Sequence, residues 1–253
     1  MKTRKLITRR RAILTGLASF GGLVLWRRYP DDLPPTYGNL LRMGDTLTYT
    51  AHRTLFPKQS LVREYRLEDI SSFPATGTTN PARSVESELG ETYGRLQAGA
   101  FADWRLSVEG LVAKPSEFSL ADLKKLASRT QITRHTCEEG WTAIGQWTGV
   151  PLSLVLDAAG ILPAARFVVY YAFDGWVDSI DMLDALHPQT LLAYGMNGAD
   201  LPIQHGAPLR LRVERQLGYK SMKFLRRIVV VDQFEDGGEM GNIQNGWAWY
   251  TGI

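Results

Sequence analysis

The chain has 253 residues, 44% of them hydrophobic and 22% charged, proportions that exclude general disorder, collagen-like repeats and a coiled coil. The formal charge of +3 is set by one end: residues 1–28 hold Lys2, Arg4, Lys5, Arg9, Arg10, Arg11, Arg27 and Arg28 and no acid. The remainder carries 21 basic against 26 acidic residues, a net of −5, so it lacks the broad basic face that nucleic acid requires.

The N-terminus reads as an address. Thr8-Arg9-Arg10-Arg11 precedes an apolar run from Ala12 to Trp26, interrupted by Gly16, Gly21 and Gly22. As a helix that run rises about 22 Å, short of the roughly 30 Å hydrocarbon core, so a signal h-region fits it better than a spanning helix. Paired arginines before a mildly apolar run resemble the twin-arginine export signal, which predicts a periplasmic protein folded around a cofactor before export. No small-residue cleavage site precedes Arg27-Arg28, so residues 1–28 are expected to be either such a signal or an uncleaved N-terminal anchor.

Residues 29–98 are rich in turn formers (Pro34-Pro35, Ser71-Ser72, Pro74, Thr76-Gly77-Thr78-Thr79-Asn80-Pro81) and read as an irregular arm over the core. A compact domain is expected over 99–235, with a tail over 236–253 whose aromatics pack on the body. Trp104 to Val112 alternates as a strand, and Ser119 caps a helix with Asp122 three positions on. Gln131 to Thr136 is an apolar strand breaking into a polar loop. Pro151 to Ala159 is a helix stopped by Gly160. Arg166 to Phe173, Leu209 to Glu214 and Ile228 to Asp232 read as strands, and Asn197-Gly198 as a turn. Strands and short helices interleave without a β-α-β rhythm or a Gly-x-Gly-x-x-Gly turn. The expected fold is α+β with a mixed sheet.

Cys137 is the only cysteine, so no internal disulfide can form. A buried inert residue, an intermolecular disulfide partner and a metal ligand or nucleophile all remain open for it. It follows Arg134 and His135, which favour a thiolate, and precedes Glu138 and Glu139, which oppose one unless a cation is present. A second constellation runs from Leu191 to Lys223. His205 and Arg210 flank a Gly-Ala-Pro bend, and Ser221, Met222 and Lys223 form a loop with backbone donors and an ammonium group. Arg210 and Lys223 suit a phosphate, and turn or surface residues of a hairpin would have the same spacing.

Taken in order, Trp104 to Val112, Ser119 to Leu123, the Cys137-x-Glu139-x-Trp141 pattern and the stretch Leu191 to Lys223 resemble the molybdopterin-binding domain of the sulfite oxidase family. Within it they resemble the periplasmic sulfoxide-reductase-like branch. The resemblance implies a sulfite-oxidase-type α+β fold and a molybdenum-bound molybdopterin, with Cys137 as the protein thiolate on the metal. It implies that Arg134, His135, His205, Arg210, Ser221, Met222 and Lys223 hold the pterin, and that Glu139 acts beside the metal as a catalytic group. It further implies two-electron chemistry on a small-molecule or oxidised-residue substrate. Electrons would come from a membrane haem subunit, since one cysteine allows no haem attachment motif, and the chain is expected to be monomeric apart from that partner. Carboxylates follow Cys137 where sulfite oxidases place arginines, and Trp176 stands where their catalytic tyrosine aligns, leaving Tyr170 or Tyr171 as candidate phenols. Sulfite oxidation is therefore disfavoured and sulfoxide reduction preferred. A binding module that keeps the fold without chemistry is the alternative.

Overall fold

The computed structural model describes residues 40–233 and 248–253. The signal segment 1–28, the start of the arm and the acidic run Glu235 to Glu239 of the tail lie outside the described residues.

Two five-stranded sheets form the body. The first has β1 (Leu106–Gly110), β2 (Ser116–Phe118), β5 (Phe167–Ala172), β6 (Val177–Asp181) and β10 (Leu225–Val231) in the order β2-β1-β10-β5-β6. Its β1–β10 pair is parallel and the other pairs antiparallel, which makes it the mixed sheet expected. The second sheet runs β3 (Arg129–Thr136), β4 (Thr142–Pro151), β7 (Leu191–Met196) and β8 (Ala199–Asp200), with β9 (Arg210–Arg212) also paired to β7. Asn197 and Gly198 take φ of +50° and +81° and close the two-residue hairpin between β7 and β8, as a right-twisted hairpin demands.

The helices are α1 (Leu40–Leu55), α2 (Pro81–Ser84), α3 (Glu88–Ala98), α4 (Leu120–Lys125), α5 (Leu152–Ala159) and α6 (Met182–Ala185). Ser119 caps α4 reciprocally: its Oγ accepts from the Asp122 amide at 3.1 Å, and the Asp122 carboxylate accepts from the Ser119 amide at 3.2 Å. Gly160 ends α5 in the left-handed region at φ +72°. The central core takes Leu106, Val108, Val168 and Ile228 from the first sheet, Leu192 and Leu211 from the second, and Val155 and Leu156 from α5. Each such side chain, when wholly buried, favours folding by about 1.5–3 kcal/mol relative to exposure.

The arm differs from its expected irregularity. Two of its helices, α1 and α3, pack into the body, and Tyr93 of α3 is wholly buried with its hydroxyl donating to the Ala207 carbonyl at 2.7 Å. Turn residues lie between these helices rather than within them, and a count of turn formers over the whole segment hides that. Trp249 and Tyr250 of the tail are buried against Tyr49 of α1, as expected of an aromatic tail.

Candidate functional site

A cavity of about 360 Å³ opens where the loops of both sheets converge. Its walls are the β3–β4 turn, the β5–β6 turn, the 3-10 turn before Gly206, the loop from Gly218 to Lys223, and a strap of the arm from Phe73 to Thr78.

Cys137 stands at the end of β3, where the chain turns back. Its amide donates to the Trp141 carbonyl at 2.9 Å, the Gly140 amide donates to its carbonyl at 3.1 Å, and Gly140 adopts φ +90°. The thiol is buried on the cavity wall and lies 3.4 Å from a Glu138 oxygen and 3.9 Å from a Glu139 oxygen. Burial pushes it up to about 11, with a backbone N–H of Glu139 opposing and both carboxylates reinforcing the shift. The sulfur therefore keeps its proton at neutral pH until a cation replaces it. Glu139 is exposed at the mouth, where its carboxylate accepts from the Trp141 indole at 3.0 Å.

Period-two alternation on β3 decides the fate of the two residues expected beside Cys137. His135 faces inward and lines the cavity. Arg134 faces solvent, does not line the cavity, and so is not placed to hold a ligand there. His135 Nδ1 lies 2.7 Å from the Arg212 guanidinium and must accept, which leaves Nε2 as the protonated nitrogen. That ring edge packs on Gly218, where an added Cβ would come within 2.4 Å of Nε2. Burial and then Arg212 and Arg210 drive His135 far below its ordinary range. His205, buried beside Arg210 and Lys223, is lowered to about 4. Both imidazoles are neutral.

Arg210 is the most informative group. It is 4% exposed, and its terminal nitrogens donate to the carbonyls of His205 at 2.9 Å and Ser221 at 2.7 Å, while Nε has no partner. Among the described residues no carboxylate forms an ion pair with it, and burial and then Arg212 press against its charge, with Glu214 opposing them. Arg212, two residues on, is compensated by Glu214 at 2.8 Å. The two guanidiniums lie 4.9 Å and 4.4 Å from the Trp147 ring. An arginine stays charged at any working pH, so an uncompensated buried one calls for an anion in the cavity it lines.

Ser221 and Met222 line the cavity, and the Ser221 hydroxyl accepts from the Val213 amide at 3.1 Å. Lys223 lines the cavity with them. Its ammonium donates to the carbonyls of Thr76 at 2.8 Å, of Thr78, and of Gln204 at 3.4 Å, so it ties the strap across the opening. Burial and Arg210 lower it to about 8. Phe73 of the strap contacts His135, Trp141, Trp147 and His205 with ring centroids 5.2–5.6 Å apart.

Several groups escaped the sequence reading. Arg212 was available from alternation, because i and i+2 share a strand face. Phe73 carried no signal, since nothing separates it from the other residues of a turn-rich arm. Tyr170 and Tyr171 do not line the cavity. Trp176 and Tyr219 do, and the Tyr219 hydroxyl is committed to the Ala248 carbonyl and Thr251.

These residues fit a molybdopterin. One buried thiol supplies a soft donor, Arg210 supplies an unpaired cation for a phosphate, and neutral histidine and backbone groups supply hydrogen bonds to a pterin. Among the described residues no three His, Cys, Asp or Glu side chains gather as a metal cage, so Cys137 is the single thiolate donor offered.

Comparison with known proteins agrees with this fit. A family described as the oxidoreductase molybdopterin binding domain matches residues 93–238, more than half of the chain. Over 192 residues the chain is 32% identical to the protein-methionine-sulfoxide reductase catalytic subunit MsrP of Xanthomonas axonopodis pv. citri, a match covering 68% of this chain and 56% of that protein. It is 39% identical over 151 residues to the putative protein-methionine-sulfoxide reductase subunit YedZ1 of Azospira oryzae, covering 60% of this chain and 56% of that one. Among solved structures, the sulfane dehydrogenase SoxCD from Paracoccus pantotrophus superposes with a TM-score of 0.51 at 27% identity, over 55% of this chain and 40% of that one. The chain spans about half the length of the curated relatives it matches.

Proposed function

The chain belongs to the oxidoreductase molybdopterin binding domain family, and on that premise we propose that it is the catalytic subunit of an exported sulfoxide reductase. The reaction takes a sulfoxide, two electrons and two protons to a thioether and water. The observation that carries the reading is the pairing, in one cavity, of the Cys137 thiol with the uncompensated Arg210 charge.

When bound, molybdenum held by the pterin would supply the two-electron exchange and the oxygen-atom acceptor. The chain's own residues do the rest. Cys137 gives up its proton and holds the metal through Sγ, while Arg210 takes the pterin phosphate. His135 keeps Nδ1 on Arg212 and presents a neutral Nε2–H. Lys223, through the strap, excludes water from one side of the cavity. Glu139, oriented by Trp141, stands at the mouth and relays protons from solvent to the forming product. Glu138 and Glu139 together repel an anion such as sulfite and leave a neutral sulfoxide unopposed. The MsrP relatives, named for methionine sulfoxide, support that substrate class. The basic, then apolar N-terminus supports a periplasmic or membrane-tethered location, and the absence of a haem attachment motif from a one-cysteine chain supports an external electron donor such as a membrane haem subunit.

Purified, fully matured protein is expected to contain stoichiometric molybdenum and to oxidise reduced benzyl viologen with methionine sulfoxide as the acceptor, and not with sulfite. Cys137→Ser should lower turnover by at least about 10²-fold, more than the loss typical of outer-shell changes at metal sites. An unchanged rate in that variant refutes the ligand assignment.

A further inference from the structure

Reducing a sulfoxide consumes two protons, and few groups in the cavity wall can give one. His135 and His205 are neutral imidazoles, both held below their ordinary range. Burial raises the Tyr219 phenol, and its hydroxyl is already committed to the Ala248 carbonyl. The Cys137 proton leaves when the thiol takes a metal, and the Lys223 ammonium is spent on the carbonyls of Thr76, Thr78 and Gln204. Glu138 and Glu139 stand exposed on the β3–β4 turn. Among the described residues that line the cavity, this leaves one acid set into the wall, Asp174.

Asp174 stands in the β5–β6 turn. The Ala172 amide donates to the Trp176 carbonyl at 3.0 Å and Gly175 takes φ +84°, which bends the chain tightly. Oδ1 of Asp174 accepts from the Trp176 amide at 3.3 Å, and the Thr78 hydroxyl of the strap also bonds to the carboxyl. The charged and titratable groups facing it are Lys223, on the loop after β9, and Tyr93 of α3, which burial keeps neutral. Burial raises the Asp174 carboxyl above its ordinary value, while the Trp176 amide, Lys223 and the Thr78 hydroxyl pull it back. Burial thus favours the proton, and three partners wait for the carboxylate once the proton has gone. A group balanced in that way is suited to giving up a proton and regaining it.

We propose that Asp174 is the inner acid of this site and supplies one of the two protons, while Glu139 relays the other. The proposal rests on the reductase reading above, with the electrons coming from the external donor by way of the pterin-held metal. The proton sits on Oδ2, the oxygen not held by the Trp176 amide. As the sulfur is reduced its bond to oxygen breaks, the Asp174 O–H bond breaks, and that proton goes to the oxygen that leaves as water. Solvent then reprotonates Asp174 through Glu139 at the mouth. A carboxylate that served only to close the turn could be replaced by asparagine, whose oxygen accepts from the Trp176 amide equally well. A proton donor could not.

The test uses full-length, molybdenum-loaded protein turning over methionine sulfoxide with reduced benzyl viologen across a pH series. In the wild type kcat should fall as pH rises through the Asp174 pKa, because the carboxyl must enter the reaction protonated. Asp174→Asn should lower kcat by at least about 10²-fold, as loss of a positioned acid does, and its profile should lack that limb. Thr78→Val removes a hydroxyl that favours the carboxylate, so the limb should move to higher pH. A second readout needs no turnover: infrared spectra of protein labelled with carbon-13 aspartate. The protonated-carboxyl band missing from Asp174→Asn should titrate at the pH of the limb in the wild type and shift upward with it in Thr78→Val. An Asp174→Asn protein that keeps the limb overturns the proposal, and so does a band that titrates at or below the ordinary aspartate value of roughly 3.9. Should Asp174→Asn fail to fold, Thr78→Val decides alone, and a limb and band that stay in place overturn the proposal. A wild type that dithionite reduces but methionine sulfoxide does not reoxidise overturns the reductase reading and this role with it. An active wild type matched in kcat by Asp174→Asn overturns this role alone.

Discussion

Arg210 and Arg212 stand two positions apart on β9 and share the Trp147 ring, yet only Arg212 has a carboxylate beside it. Glu214 makes Arg212 part of the fold, while Arg210 forms no ion pair among the described residues. Arg210→Gln should therefore spare folding and cost the cofactor. Molybdenum per chain, measured by elemental analysis after gel filtration, is expected to fall at least about tenfold, because losing one partner of a buried charge pair typically costs 2–5 kcal/mol. Undiminished loading would show that the phosphate lies elsewhere. A second expectation concerns pH and the cofactor-free protein. The unfolded chain takes up a proton at His205 near pH 6.5, whereas the native state does so only near pH 4. Between those values the unfolded state holds more protons, so stability rises with pH across the window and is lost on acidification. Urea midpoints at pH 7 and pH 4.5 should differ less in His205→Gln than in the wild type.

The elements differ in how openly the sequence announces them. Helix α4 wrote its own boundary in Ser119 and Asp122, α5 in Pro151 and Gly160, and the β7–β8 hairpin in Asn197-Gly198. Strands β3, β5 and β10 showed in runs of β-branched and aromatic residues. Local chemistry of that kind survives in any context. Helix α1 did not show, because its inward stripe is Asp45, Tyr49 and Arg53, and a pattern search expects apolar residues there. Cys137, His135, His205, Arg210, Ser221 and Met222 were legible as one site through the order of their motifs. Arg134 was assigned to the same site by adjacency, and strand alternation sends it to the other face. Because α1 is held by polar bonds, its weak point is a carboxylate. Asp45→Ala removes the acceptors of two buried amides, at about 1–3 kcal/mol each. Hydrogen exchange at Trp249 and Tyr250 should accelerate in that variant before exchange in β5 and β10 changes.

For the molecule as a whole, the arm and tail pack into the same body as the two sheets. Tyr93 fills the central core, Phe73 roofs the cavity, and Tyr49 is sandwiched with Trp249 and Tyr250. A chain truncated to begin at residue 99 would expose these seats and lack the strap that Lys223 grips. It is expected to lose near-ultraviolet circular dichroism while binding the dye ANS, the behaviour of a loosely packed state. A sharp, native-like thermal transition in that fragment would show instead that the arm is an accessory.

The sole sulfhydryl sits in the cavity wall at Cys137, and this turns the chain into its own gauge of maturation. A thiolate bonded to a metal resists alkylation, and no second sulfur competes for the reagent. After exposure to iodoacetamide long enough and alkaline enough to modify the buried thiol of the empty protein completely, the ratio of unmodified to carbamidomethylated mass in an intact-protein spectrum would count loaded and empty molecules in one sample, with no reference standard.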